Sequence, residues 1–229
     1  MILTDPEWQA VLLSLKVSSV AVLFSLPLGI FVAWVLVRCQ FPGKALLDSL
    51  IHLPLVLPPV VVGYLLLVGF GRRGVIGSWF HDWFGITFAF NWKGAVLAAG
   101  VMSFPLMVRA IRLALEGVDL RLEQAARTLG ARRWRVFFTI TLPLTLPGII
   151  AGTVLAFARS LGEFGATITF VSNIPGETRT LPSAMYTLIQ TPGGENAAWR
   201  LCVIAIALAM ISLLVAEWLA RISRKRLGG

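Results

Sequence analysis

Charged residues are scarce in this chain. They make up 14% of its 229 residues, whereas hydrophobic residues make up 57%, and the mean hydropathy is +0.83. A water-soluble globular domain is more polar, so these values predict an integral membrane protein. The length suits a bundle of about five transmembrane helices, because each helix needs about 20 apolar residues to cross a hydrocarbon core of about 30 Å. We therefore expect residues 1–229 to form a single all-α transmembrane domain.

The sequence features of catalysis and metal binding are also missing. The two histidines, His52 and His81, and the two cysteines, Cys39 and Cys202, lack the spacing of a metal site. There is no G-x-x-x-x-G-K-[ST] loop to hold nucleotide phosphates, no H-E-x-x-H and no Ser/His or paired-aspartate arrangement. We therefore predict no catalytic residue, no metal and no bound cofactor. An intramembrane enzyme is the weaker alternative.

Acidic residues are few: 11 Asp and Glu stand against 20 Lys and Arg, which gives a formal net charge of +9. In a soluble protein this excess would suggest nucleic-acid binding. Here the basic residues lie at the ends of charge-free runs, which is the positive-inside pattern of membrane proteins rather than a groove for phosphates. The composition therefore predicts contact with membrane lipid and no nucleic-acid partner.

Five charge-free runs predict the transmembrane helices. They are Val17–Val37, Ser49–Gly71, Gly94–Val108, Val136–Ala158 and Leu201–Ala216. Lysines and arginines cluster after the first run, after the third run and in the C-terminal tail, so we expect these regions on the cytoplasmic side and the N-terminus on the other side. The clusters contain Arg38 and Lys44, the arginines between Arg109 and Arg135, and Arg221, Arg224, Lys225 and Arg226.

Residues 164–190 are apolar in patches, but Glu177, Arg179 and several prolines and glycines interrupt them. The basic loop after the third run and the basic tail face the same side, which requires an even number of crossings between them. We therefore expect irregular backbone and a short helix at the outer face here, not a sixth crossing. Such backbone is tolerated at membrane depth where it is buried in protein or lines a cavity.

Prolines interrupt the second predicted helix at Pro54, Pro58 and Pro59. Each proline removes a backbone N–H and kinks or breaks a helix. One interpretation is a structural kink packed against its neighbours. The other is a bend that shapes a translocation path, as in the broken helices of transporters.

The loop between the third and fourth runs, Arg121–Arg135, has its own pattern. Strong helix formers occupy residues 122–129, Gly130 permits a turn, and a second helical stretch continues into the fourth run. This predicts a small basic helix–turn–helix on the cytoplasmic surface. Composition alone strongly favours an ordinary positive-inside loop.

The spacing favours a specific function for that loop. Ala125-Ala126, then Gly130, then Ile140-x-Leu142-Pro143 resembles the EAA loop of binding-protein-dependent ABC permeases. The resemblance implies a coupling helix that docks into a cleft of a cytoplasmic ATPase. The family's glutamate position holds Gln124 here, with Glu123 one place earlier, which leaves open which of the two makes that contact. The resemblance assigns to coupling the residues Glu123, Gln124, Ala125, Ala126, Gly130, Ala131, Ile140, Leu142 and Pro143, within a loop spanning residues 116–143.

Three further segments extend the resemblance over nearly the whole chain. They are LPLVLPPVVVGY (53–64), GRRGVIG (71–77) and RSLGEFGAT (159–167), which are similar to the molybdate and sulfate group of these permeases. The compact length is similar to the molybdate branch. The resemblance implies a type I ABC importer in a bacterial inner membrane, with a permease homodimer, two ATPase subunits that bind the ATP, and a periplasmic oxyanion-binding protein. Tungstate and sulfate remain alternative substrates. A passive channel is less well supported, because the runs lack a polar stripe.

The same segments supply candidates for the translocation path or its gate: Pro58, Pro59, Arg159, Gly162, Glu163 and Gly165. Each has a simpler alternative. Arg159 could attract an anion or extend its charged end to the interface. Glu163 could belong to a gate or pair with Arg159 at the i,i+4 spacing of a helix end.

Overall fold

The computed structural model describes residues 3–227, apart from the side chains of residue 220 and residues 223–227, and all regular structure in this part of the chain is helical. The tail residues Arg224, Lys225 and Arg226 thus lie outside the described side chains. The helices in chain order are α1 (Asp5–Arg38), α2 (Lys44–Val56), α3 (Pro59–Phe70), α4 (Val75–Phe84), α5 (Trp92–Glu116), α6 (Leu120–Thr128), α7 (Arg133–Val136), a π-helical segment (Phe137–Thr141), α8 (Leu142–Leu161), α9 (Gly165–Val171), α10 (Leu181–Ile189) and α11 (Glu195–Leu227).

Four helices of the described chain are long and apolar enough to cross a membrane: α1, α5, the continuous stretch Arg133–Leu161, and residues Glu195–Leu219 of α11. They contain four of the five predicted runs. The remaining run is the pair α2 and α3, which count as a fifth span only if taken together. Four of the five predicted spans are therefore confirmed, and the fifth is a bent pair of shorter helices.

The second predicted span, Ser49–Gly71, is wrong as a single helix. α2 and α3 meet at a bend of 116°. Leu57 and Pro58 have extended backbone there, with ψ of 143° and 134°. A proline disfavours helical backbone in the residue before it, and Pro58 and Pro59 act on two successive residues. Pro54 alone does not break α2, so the double proline makes the break.

Helix α5 is the centre of the bundle. It packs along both α1 and α8, and the first half of its buried face consists of small residues such as Ala95, Ala98 and Gly100. On α8, a side chain at Gly152 would come within 3.1 Å of Ala110 of α5, and one at Gly148 would overlap Ala114. Small residues let transmembrane helices approach closely, which increases their van der Waals contact.

Residues 164–190 form two short helices rather than the single one expected. α9 follows a break after α8 and continues along α5 towards its first turn, where Val171 lies beside Gly94. α10 then packs on the start of α1, where the Leu181 amide donates to Ser14 Oγ at 2.6 Å. This segment thus adds no crossing of its own in the described chain, as the charge pattern predicts.

The bundle has two distinguishable ends. The arginine-rich end carries the last turn of α1, the end of α5, and α6 and α7. The opposite end carries α4, α10 and the first turns of α1 and α11, joined by an ion pair in which Arg200 Nη2 lies 2.7 Å from Glu7 Oε1. Cys39 and Cys202 lie at different ends and are both free thiols, so the expectation of no disulfide between them is confirmed.

Candidate functional site

Helix α6 and the turn after it form the helix–turn–helix that the sequence predicts. Asp119 caps the helix, because its Oδ1 accepts from the Arg121 amide at 2.9 Å. The helix ends at a turn in which Gly130 has φ +86°, and the Ala131 amide donates to the Ala126 carbonyl at 3.1 Å. Left-handed backbone of this kind favours glycine. α7 then runs through the π-helical segment into α8.

Exposed apolar side chains cover this end of the molecule. Leu129 is 89% exposed and Trp134 is 74% exposed. Exposed arginines flank them in the sequence, at Arg127, Arg132, Arg133 and Arg135. Large apolar groups within a polar rim are typical of a protein interface. We name this area the α6–α7 surface; its apolar members are Leu120, Leu122, Leu129, Trp134 and Phe138.

The two candidates for the polar contact of α6, Glu123 and Gln124, point in different directions. Gln124 is exposed, together with Ala125. Glu123 is turned towards the bundle, where its Oε1 accepts from Arg38 Nη2 at 2.6 Å and from Thr141 Oγ1 at 2.9 Å. Adjacent residues of one helix point about 100° apart. The two side chains therefore face different surroundings.

The remaining predicted coupling residues divide into two groups. Gly130 is exposed in the turn, and Ala126 and Ala131 are half-buried on either side of it. Ile140, Leu142 and Pro143 are half-buried where the π-helical segment joins α8, and Leu142 packs on the core formed by α1 and α5. The first group shapes the α6–α7 surface, and the second attaches the loop to the bundle.

The π-helical segment Phe137–Thr141 is a feature that the sequence analysis missed. Its wider turn is closed by the Leu142 amide donating to the Phe137 carbonyl, and Phe137 contacts Trp34 of α1 edge-on, with the ring centroids 6.4 Å apart. π-helical turns are rare and often lie at functional sites. No residue type in FFTIT distinguishes it from an ordinary helix.

A second candidate site lies where two helix breaks meet. We name it the break junction and define it by Leu57–Pro59, between α2 and α3, and Gly162–Gly165, between α8 and α9. A side chain at Gly165 would come within 2.8 Å of Pro59 Cβ. Next to it, α3 and α9 pack so closely that a side chain at Gly63 would come within 2.6 Å of the Ala166 carbonyl oxygen. The junction therefore brings the predicted path residues Pro59 and Gly165 into contact.

An ion pair occupies the α8–α9 side of this junction. Arg159 Nη1 lies 2.7 Å from Glu163 Oε2, and the side chains are 28% and 2% exposed respectively. Glu163 Oε1 also accepts from the Ala166 amide at 2.9 Å, in the first turn of α9. The i,i+4 pairing that the spacing allows is therefore present. It neutralises the two charges and holds the end of α8 to the start of α9.

Comparison with known proteins places this geometry among transport proteins. The family model "Binding-protein-dependent transport system inner membrane component" matches residues 25–229. The molybdenum transport system permease ModB of Escherichia coli K12 is 86% identical over 228 residues, covering 100% of both chains. The corresponding protein of Haemophilus influenzae is 64% identical and covers 97% of both. The sulfate transport permease CysW of Synechocystis is 38% identical, covering 89% of this chain and 75% of its own.

A solved structure has the same fold. One chain of a bacterial alginate ABC transporter, crystallised with an alginate-bound periplasmic protein, superposes with a TM-score of 0.76 over 96% of this chain and 80% of its own. Its sequence identity of 19% supports the likeness of fold alone.

Proposed function

The chain belongs to the family of binding-protein-dependent transport system inner membrane components, and on that basis we propose that it is the membrane permease of an ATP-driven molybdate importer. The 86% identity to a molybdenum transport permease over the full length of both chains carries this proposal. The match to a sulfate permease, at 38%, is much weaker. The chain itself is a membrane component and not the catalytic subunit.

In the proposed complex the arginine-rich end faces the cytoplasm, as the positive-inside pattern predicts, and the N-terminus lies on the periplasmic side. The α6–α7 surface docks on an ATPase subunit, which binds and hydrolyses the ATP, and this chain binds no cofactor. Exposed leucines and Trp134 fill the partner's cleft, while Gln124 and Ala125 lie at the contact. Leu129 and Trp134 are strongly exposed although they lie outside every predicted membrane run, and this apolar exposure supports such a partner.

Two copies of this chain and two ATPases form the proposed transporter, and a periplasmic oxyanion-binding protein delivers the substrate. α3 supports the pairing of permeases, because its large side chains Val60, Tyr64, Leu65 and Val68 are all more than half exposed in a single copy. A second copy beside α3 would enclose a path between the two chains.

We assign the gate of that path to the break junction, with Pro58, Pro59, Arg159, Gly162, Glu163 and Gly165. A helix break separates two rigid segments, so a small change of backbone angle there moves the next segment as a unit. α3 follows the first break and α9 follows the second, and the two helices pack closely against each other, so they would move together. The Arg159–Glu163 pair leaves no net charge, which allows an anion to pass without being trapped.

The test is uptake of labelled molybdate by cells lacking only this chain, with and without a plasmid copy. Uptake at low molybdate concentration is expected to require the copy and to resist excess sulfate. Unchanged uptake without the copy would contradict the substrate. Equal competition by sulfate would reassign the chain to sulfate transport. Competition by tungstate alone would measure the selectivity of the transporter between two oxyanions of equal charge.

A further inference from the structure

Three separate elements of the arginine-rich end meet at one oxygen atom. Arg38 is the last residue of α1, Thr141 is the last residue of the π-helical segment, and Glu123 lies in the first turn of α6. Glu123 Oε1 accepts hydrogen bonds from the other two at 2.6 and 2.9 Å. We name this arrangement the Glu123 link. It joins residues 85 and 18 positions apart in sequence.

The link is shielded from water, although α6 itself is a surface helix. The side chains of Arg38 and Glu123 are 15% and 18% exposed, and Thr141 is 2% exposed. No residue of α6 is fully buried, and the helix packs lightly, on α7 and the π-helical segment. A charge-assisted hydrogen bond in such surroundings is stronger and more directional than an exposed ion pair. The position of α6 relative to the spans therefore depends strongly on this carboxylate.

The pairing is also important for Arg38. Its Nε is buried and has no hydrogen-bond partner, and Glu123 is the acidic residue paired with it in the described chain. Removing one member of a shielded pair leaves the other charge without compensation, which is more disruptive than losing a surface pair. Glu123 is therefore held in place by the end of α1.

The third partner lies at a conformational junction. The helix changes from π to α at Thr141, and Thr141 also accepts at its carbonyl oxygen from Thr145 Oγ1 at 2.9 Å. A π-helical turn contains one more residue than the α-helical turn beside it, so a shift of this turn along the helix moves one side relative to the other. A displacement of α6 would pull directly on that turn.

We propose that Glu123 is a positioning residue, which transmits the movement of α6 to α1 and α8 through Arg38 and Thr141, and is not the side chain that binds the ATPase. This inference rests on the proposed function. It assigns the contact with the ATPase to the exposed side of α6, where Gln124 lies. Movement of α6 then reaches two spans at once, one through an ion pair and one through a hydroxyl group.

The experiment uses the full chain with its ATPase, reconstituted in liposomes with the binding protein. Glu123→Gln is compared with wild type, with the charge exchange Arg38→Glu/Glu123→Arg, and with a control, Glu217→Gln. The control removes a charge from an ion pair with Arg221, 2.8 Å apart within the single helix α11. The readouts are co-purification of the ATPase, ATP hydrolysis, molybdate transported per ATP, and hydrogen exchange of the α6 amides in the permease alone.

In Glu123→Gln the ATPase should co-purify and hydrolyse ATP as in wild type, while molybdate transported per ATP falls about tenfold, the size of a typical coupling between sites. Exchange of the α6 amides should rise about tenfold, because local opening becomes easier. The charge exchange should restore most of the molybdate transported per ATP and bring the hydrogen exchange of the α6 amides back towards wild type, since it restores the ion pair. The control should match wild type.

Loss of ATPase co-purification in Glu123→Gln, without recovery in the charge exchange, would overturn the proposal, because it would place Glu123 at the partner contact. The proposal would also be overturned if Glu123→Gln changed neither the molybdate transported per ATP nor the hydrogen exchange of the α6 amides. If the single variant fails to insert, the charge exchange alone decides: coupling near the wild-type value supports the link, and an assembled but uncoupled complex refutes it. A wild-type complex that does not transport molybdate refutes the proposed function instead. Hydrogen exchange of the α6 amides in the permease alone then still tests the Glu123 link.

Discussion

The α6–α7 surface and the break junction both depend on glycine, but for opposite reasons. At Gly130 the backbone has φ +86°, and a side chain would meet no atom within 4 Å. At Gly165 in the break junction, and at Gly63 beside it, the backbone is ordinary, and a side chain would come within 2.8 and 2.6 Å of neighbouring atoms respectively. The surface therefore needs glycine for its conformation and leaves space for a partner. The junction needs glycine for its volume, because its partner is another part of the same chain.

The largest expected effect is beside the break junction, where α3 packs on α9. Gly63→Leu should abolish transport and lower the free energy of unfolding by about 3 kcal/mol, because the new side chain would overlap α9 in a closely packed interface. Thermal unfolding of the purified protein and molybdate uptake measure the two effects. The matched control is Gly69→Leu in the same helix, where a side chain would meet nothing within 4 Å. Equal stability of the two variants would contradict the role of close packing.

At the α6–α7 surface we expect loss of function with little loss of stability. Gly130→Glu should abolish transport while the protein still inserts, because a long acidic side chain enters the docking contact and costs only about 1 kcal/mol of backbone strain. Gly130→Asn, which tolerates left-handed backbone, should retain most transport. Membrane insertion, ATPase co-purification and uptake are the measurements. Normal transport by Gly130→Glu would show that no partner docks there.

A smaller effect is expected at the ion pair of the junction. Glu163→Gln keeps an oxygen for the Ala166 amide but loses the charge opposite Arg159, which should cost about 1–2 kcal/mol given the partial exposure of Arg159. Glu163→Ala removes both contacts and should cost more. Thermal unfolding in detergent ranks wild type, Glu163→Gln and Glu163→Ala by stability. If the two variants are equally stable, the bond to the start of α9 contributes nothing.

The sequence predicted most of what local chemistry determines. Charge-free runs located four spans, Pro58-Pro59 marked the break between α2 and α3, and Gly130 marked the turn after α6. The i,i+4 spacing of Arg159 and Glu163 also sufficed to suggest their pair. In each case the cause lies within a few neighbouring residues.

Contacts between distant segments could not be predicted in this way. Both breaks were visible in the sequence, but nothing local indicates that Pro59 lies against Gly165. Likewise, Glu123 and Gln124 are both polar, and nothing local indicates that Glu123 meets Arg38 at the end of α1 and Thr141 before α8. The π-helical segment has no signal in its own residues, which are ordinary in helices.

ATP-driven import of molybdate is tested most directly by uptake into liposomes that contain this chain, its ATPase and the binding protein, with ATP supplied to the ATPase side. We expect accumulation of labelled molybdate that requires hydrolysable ATP, stops with a non-hydrolysable analogue, and is little affected by excess sulfate. Equilibration of molybdate without ATP would indicate a passive channel and would contradict the central claim that this bundle is driven through its α6–α7 surface.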